Sequence, residues 1–116
     1  MQVRSKKYAE NAYPLVSGIK NQQDVPEAKY RTLALSLPTM IMQSGLAQSV
    51  GFLMAKSEKE HAMILKHLAN LLGFSDVQKL HAEVLAVDIV KYQILTRNAI
   101  EASSWLKRYT QALLEK

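Results

Sequence analysis

From Thr32 to Ala55 the chain carries no charged residue, and the order of large and small side chains inside that run is regular. Met42, Leu46, Val50 and Leu53 follow one another by four, four and three residues, the spacing of one apolar helix face. Ser44, Ala47, Gly51 and Ala55 follow by three, four and four on the opposite side, where small residues would let another backbone approach. The pattern predicts a central helix over residues 37–56 that buries two faces in the middle of a bundle. Pro38 disfavours helix at Leu37, so a kink or break is expected there. The run is long enough to cross a membrane. Its polar content (Thr32, Ser36, Thr39, Gln43, Ser44, Gln48, Ser49) and Pro38 argue against that use.

The flanking segments repeat the helical period. Ala9, Ala12, Val16 and Ile19 predict a first helix over residues 4–19, with Tyr8 and Tyr13 at the stripe's edges, Pro14 on its polar side as a kink, and Gly18 at its end. Asp24, Pro26 and Glu27 read as the start of a second helix, with Asp24 as its cap. Ser57 with Glu60, and Ser75 with Gln78, read as two further capping boxes. Between them Ile64, Leu65, Leu68, Leu71 and Leu72 share an inner face that Gly73 ends.

Residues 76–116 contain neither Gly nor Pro. One straight helix of that length, at about 1.5 Å per residue, would overrun a domain roughly 26–30 Å across. The stripe Val77, Leu80, Val84, Val87, carried forward, would also bury Asp88 and Lys91. A break is therefore expected near residues 87–91. Beyond it Leu95, Ala99, Ala102, Leu106, Tyr109 and Leu113 step by four and three, a coiled-coil-like seam expected to pack on the central helix. No segment alternates with period two. The fold class is all-α: a single domain, residues 1–116, of about six helices around a buried central helix.

Composition narrows the chemistry more than the fold. At 116 residues, 48% apolar and 22% charged, the chain reads as one globular domain able to bury its own core. It has no cysteine, which removes disulfides, thiolate metal sites and thiol catalysis together. MQVRSKKYAE holds no apolar signal region, so the expected location is the cytoplasm. The net charge of +5 is uneven: residues 1–35 hold six Lys/Arg against three Asp/Glu, residues 36–90 four against five, and residues 91–116 five against two. Basic ends on a balanced middle hint at a polyanionic partner, though a plain solvated basic surface has the same look.

Candidate catalytic groups do not assemble on paper. His61, His67 and His81 lack a metal-binding spacing; His61 reads as a histidine at the core's edge and His67 as solvated. Carboxylates are scattered singly, without the Glu-x-x-His arrangement of di-iron bundles, and there is no phosphate loop, nucleophile elbow or calcium loop. The expectation is a protein that is no enzyme and needs no cofactor or metal. What stands out is the last helix, where Arg97, Glu101, Ser104 and Arg108 share the face opposite the seam, with Lys107 to one side and Trp105 at the seam's edge. That face is either an ordinary solvated surface with an Arg97–Glu101 pair or a set of phosphate contacts. Arg4, Lys6 and Lys7 lie in the first turn of the first helix, where the helix dipole disfavours cations. They fit a binding role or a frayed, soluble terminus.

Two stretches together carry a family resemblance. Leu37-Pro38-Thr39-Met40-Ile41, Gly45-Leu46-Ala47-Gln48 and Phe52-Leu53 through Lys56 form the first. Tyr92, Leu95-Thr96-Arg97, Ala102, Trp105-Leu106-Lys107-Arg108-Tyr109 and Ala112 form the second. In this order and spacing, over about residues 4–112, they resemble the small subunit of CRISPR type III-B (Cmr) effector complexes. Met42 departs from that family's pattern, in which many members carry a basic residue at about this position. The resemblance implies a non-catalytic subunit of an antiviral ribonucleoprotein. Copies of it would stack as a short filament beside the guide-RNA backbone, in contact with backbone and large subunits, and help hold guide and target RNA. It implies no membrane and no small-molecule substrate. Added to the residue-level reading, it makes Arg97 and Arg108 the first candidates for RNA contact, with Lys107, Arg4, Lys6 and Lys7 behind them. The rival reading is a helical protein–protein interaction module without nucleic-acid contact.

Overall fold

Six α-helices account for nearly all of the backbone in the computed structural model, which describes residues 3–56 and 58–114. They are α1 (Val3–Ser17), α2 (Glu27–Ser44), α3 (Leu46–Ala55), α4 (Lys59–Leu71), α5 (Val77–Ala86) and α6 (Ile89–Leu113), with a 3-10 turn at Gly18–Asn21 between α1 and α2. No strand occurs among the described residues, and no helix is long and apolar enough to cross a membrane.

The central element is α2, and it differs from the predicted one. The helix runs unbroken through Pro38, and the expected break at Leu37 is absent. Tyr30, Ala34, Leu37, Pro38 and Ile41 are all buried along α2. Packing of that face outweighs the roughly 3 kcal/mol that an interior proline costs. The chain breaks instead at Gly45, whose φ of 85° and ψ of 162° lie where only glycine is comfortable. Residues 37–56 are thus the end of α2 and the whole of α3, not one helix.

The two-faced burial predicted for this stretch also fails in half. Leu46, Val50 and Leu53 are buried, but Met42 is 64% exposed. The small-residue side is mostly open: Ala47 is partly buried against the core, but Ser44, Gly51 and Ala55 are exposed, and a Cβ added at Gly51 would meet nothing within 4 Å. Small side chains suit an open helix face as well as a tight one, and here they lie on the open one.

Helix ends follow local chemistry, in places one residue from the expected positions. Asp24 does not cap α2; Pro26 occupies the cap position and its carbonyl accepts from the Tyr30 N–H. Glu58 stands at the α4 cap, and Ser57, the expected cap, lies outside the described residues. At α5 the cap is Asp76 rather than Ser75, its carboxylate accepting from the Lys79 N–H at 2.8 Å. α1 continues past the exposed Pro14 and stops before Gly18. The break expected near residues 87–91 is present: Val87 ends α5, and Asp88 starts α6 by accepting from the Lys91 N–H at 2.9 Å.

α6 packs most extensively on α2 and then on α1, through the predicted seam. Ala99, Ala102 and Leu106 are fully buried, with Leu95, Tyr109 and Leu113 partly buried against the same core. One hydrophobic cluster joins residues of all six helices. Burial of the seam fixes the rotation of α6 about its axis, and with it the direction in which the opposite face points.

Candidate nucleic-acid interface

With its seam buried, α6 presents Arg97, Ser104 and Arg108 to solvent, and Glu101 lies half-buried between them. Arg97 and Arg108 are eleven residues apart, about 16 Å along the helix. Lys107 is half-buried at the side of this face.

The first turn of α1 comes to the same place. The Arg4 guanidinium donates to the Glu101 carboxylate at 2.8 Å, an ion pair that joins residues 97 positions apart. Glu101 thus pairs with Arg4 rather than with Arg97, the partner that the solvated-surface reading gave it. The ion pair also shows Arg4 tied to α6 within a regular helix, not at the end of a frayed one. The bond to Glu101 pushes the Arg4 pKa further up, so the charge persists at any relevant pH. Lys6 lies 3.9 Å from Glu10 one turn on, with both side chains exposed, a pair of small energetic weight. Lys7 is exposed.

Next to the ion pair, Trp105 is half-buried, and its indole N–H donates to the Ser5 hydroxyl at 3.1 Å. Its ring lies 5.7 Å from that of Tyr109, which meets Tyr13 of α1 edge-on at 5.4 Å. This aromatic row seals α1 to α6. Glu101, Ser104, Trp105 and Arg108 then line an open cleft of about 340 Å³. The Ser104 hydroxyl donates back to the Ile100 carbonyl at 2.8 Å, which leaves its oxygen free to accept.

Sequence reasoning placed Arg97 and Arg108 on one face, and the structure does the same. It could not see that Arg4 joins them, because the pairing crosses almost the whole chain. It also misplaced His67. This residue is buried, and its Nδ1 lies 2.7 Å from the Tyr30 hydroxyl, itself fully buried. The missed signal was spacing: Glu60, Ile64, His67 and Leu71 step by four, three and four, and all four are buried. Burial lowers the His67 pKa to about 4, helped by the nearby Lys66 charge, and raises that of Tyr30. Both groups are therefore neutral near pH 7, and one buried hydrogen bond joins the phenol oxygen and Nδ1. His61 sits at the core's edge as expected, with its Nδ1 3.4 Å from a Glu60 oxygen.

Among the described residues, no group of three or more His, Asp or Glu side chains could hold a metal ion. The surface also carries apolar areas away from the arginines. Leu85, Ile89, Val90 and Ile94 are exposed around the α5–α6 junction, and Met42, Phe52 and Met54 around α3. A cleft of about 490 Å³ beside α3 is lined by Met40, Ser44, Gln48, Ser49 and Phe52.

The family described as "CRISPR-associated protein (Cas_Cmr5)" matches residues 4–113. The CRISPR system Cmr subunit Cmr5 of Thermus thermophilus is 32% identical over 116 residues, the full length of both chains. The crystal structure of a CRISPR-associated Cmr5 family protein from the same organism superposes with a TM-score of 0.92 at 32% identity, covering 99% of this chain and 100% of that one.

Proposed function

The chain belongs to the CRISPR-associated Cmr5 family, and from that premise we propose that it is the small, non-catalytic subunit of a Cmr effector complex, holding RNA by its phosphates. In this reading copies of the chain stack beside the guide-RNA backbone in the cytoplasm, and the α6 face turns toward the guide and target strands. The observation that carries it is the pair Arg97 and Arg108, both exposed on the one face of α6 that the buried seam leaves outward. Guanidinium groups suit bidentate phosphate contact. Contacts to phosphate read no sequence, which suits a complex whose specificity comes from base pairing. Lys107, Arg4, Lys6 and Lys7 add positive charge around them.

The exposed aliphatic patch Leu85, Ile89, Val90 and Ile94 supports a protein-contacting role alongside this one, since aliphatic side chains give bases nothing to stack on. Taken without RNA contact, that role is the competing reading.

The deciding experiment is Arg97→Glu with Arg108→Glu in reconstituted complex. Target-RNA affinity should fall for every guide sequence. The log–log salt slope should flatten by roughly one to two units per engaged subunit. Full incorporation with unaltered affinity and slope would leave only the protein-interaction reading.

A further inference from the structure

A carboxylate in the middle of a phosphate-binding face is a liability, because it repels the ligand that Arg97 and Arg108 would attract. Glu101 stands there, one turn after Arg97 and two turns before Arg108. One of its oxygens, Oε1, is occupied by Arg4 at 2.8 Å. The other, Oε2, takes no hydrogen bond among the described residues, and Glu101 lines the cleft shared with Ser104, Trp105 and Arg108. A carboxylate oxygen accepts hydrogen bonds, so a ligand welcome beside it must bring a hydroxyl or an N–H. In a nucleic acid whose phosphate is held by Arg108, the donor next to the backbone is the ribose 2′-hydroxyl, the group that separates RNA from DNA.

We infer that the cleft on α6 lined by Glu101, Ser104, Trp105 and Arg108 is a ribonucleotide subsite in which Arg108 takes a phosphate and Glu101 accepts a hydrogen bond from the adjoining 2′-hydroxyl. Arg4 holds the carboxylate in place from behind and offsets its charge. Trp105, fixed by Ser5, forms the wall against which the sugar lies. The subsite reads the sugar and not the base, so it selects RNA of any sequence. This deepens the phosphate-contact reading of α6 and rests on it.

The test is Glu101→Gln in reconstituted complex, with affinity measured for an all-ribose target and for the same sequence in 2′-deoxy form. Glutamine can keep a carbonyl oxygen on Arg4 while an amide NH2, a donor, replaces Oε2. Affinity for the ribose target should fall roughly three- to tenfold, and affinity for the deoxy target should stay within twofold, so the RNA/DNA ratio shrinks. An unchanged ratio overturns the inference; this includes the case in which both affinities rise together, where Glu101 merely repels phosphate. In wild-type complex, single 2′-deoxy substitutions placed along the target, and separately along the guide, should find positions that cost the same factor and identify the strand. The same substitutions in the Glu101→Gln complex should cost nothing further. If no single position matters in either strand, the subsite does not exist. The Arg97→Glu, Arg108→Glu complex separates the two claims. Loss of affinity there with an unchanged RNA/DNA ratio in Glu101→Gln sinks the subsite alone, and no loss there sinks the phosphate face as well.

Discussion

The hydroxyl of Tyr92 accepts a hydrogen bond from the backbone N–H of Ala47 at 3.0 Å, and in doing so α6 caps α3. Gly45, at the α3 cap position, has no side chain with which to do this itself. The same hydroxyl would lie 3.2 Å from a Cβ at Gly45, so a side chain there would be strained by its backbone angles and tight against its neighbour. Tyr92→Phe should lower stability by about 1 kcal/mol, the usual worth of one such bond. Gly45→Ala should cost more, roughly 1–3 kcal/mol, because it adds backbone strain to the tight contact. Denaturant unfolding of the isolated chain checks both; equal effects would mean that the strain is absent.

The buried Tyr30–His67 pair predicts a pH dependence. The His67 pKa is about 4 in the fold, against 6.5 for an ordinary histidine. Between those values the unfolded chain binds a proton that the folded one does not, so stability falls as pH falls. The contribution is fully present above about pH 6.5 and is lost progressively down to about pH 4, by about 3 kcal/mol at most. His67→Gln keeps a partner for Tyr30 without titrating. The difference in unfolding free energy between wild type and this variant should therefore vary with pH across that window. A constant difference would place His67 in a solvated setting.

Gly51 lies inside α3 with open space where its side chain would be. Gly51→Ala should therefore stabilise the isolated chain by about 0.5–1 kcal/mol, through a smaller loss of backbone freedom on folding. A lower melting temperature would show that another element does approach this face. Gly51→Leu should be tolerated by the isolated chain on the same grounds. If it then blocks incorporation into the complex, the exposed side of α3 is a subunit contact.

What the sequence made legible depended on whether a feature had a competing signal. The α5–α6 break could be read because the forward stripe would have buried Asp88 and Lys91, a cost no packing could offset. The α2–α3 break could not, since Pro38 was the local signal for a break and only its tertiary fit into the core lets the helix run on to Gly45. The shared face of Arg97 and Arg108 followed from spacing alone. The ion pair that brings Arg4 to Glu101 depends on how α1 lies against α6, which no local pattern encodes. His67 was assigned to solvent because the leucines beside it gave the stronger stripe, although its own spacing from Ile64 and Leu71 was helical.

Trp105 tests whether the seal between α1 and α6 is structural. Its indole N–H reaches Ser5, its ring packs beside Tyr109, and Tyr109 meets Tyr13, so three aromatic rings and one hydrogen bond bridge the two helices. Trp105→Ala removes one end of this row together with the bond to Ser5. Full burial would put the cost at roughly 3–5 kcal/mol; for a half-buried ring about 2 kcal/mol is expected. Trp105→Phe keeps most of the ring contact and loses the bond to Ser5, for about 1 kcal/mol. Because α1 is held mainly by α6, the loss should be local as well as global. Amide exchange at Ala9, Ala12 and Val16 should speed up more in Trp105→Ala than exchange at Leu37 and Ile41 of α2. Uniform acceleration would mean that α1 opens only with the whole fold. A Trp105→Ala variant with full stability, normal α1 protection and lost RNA binding would instead assign the indole to the nucleic acid.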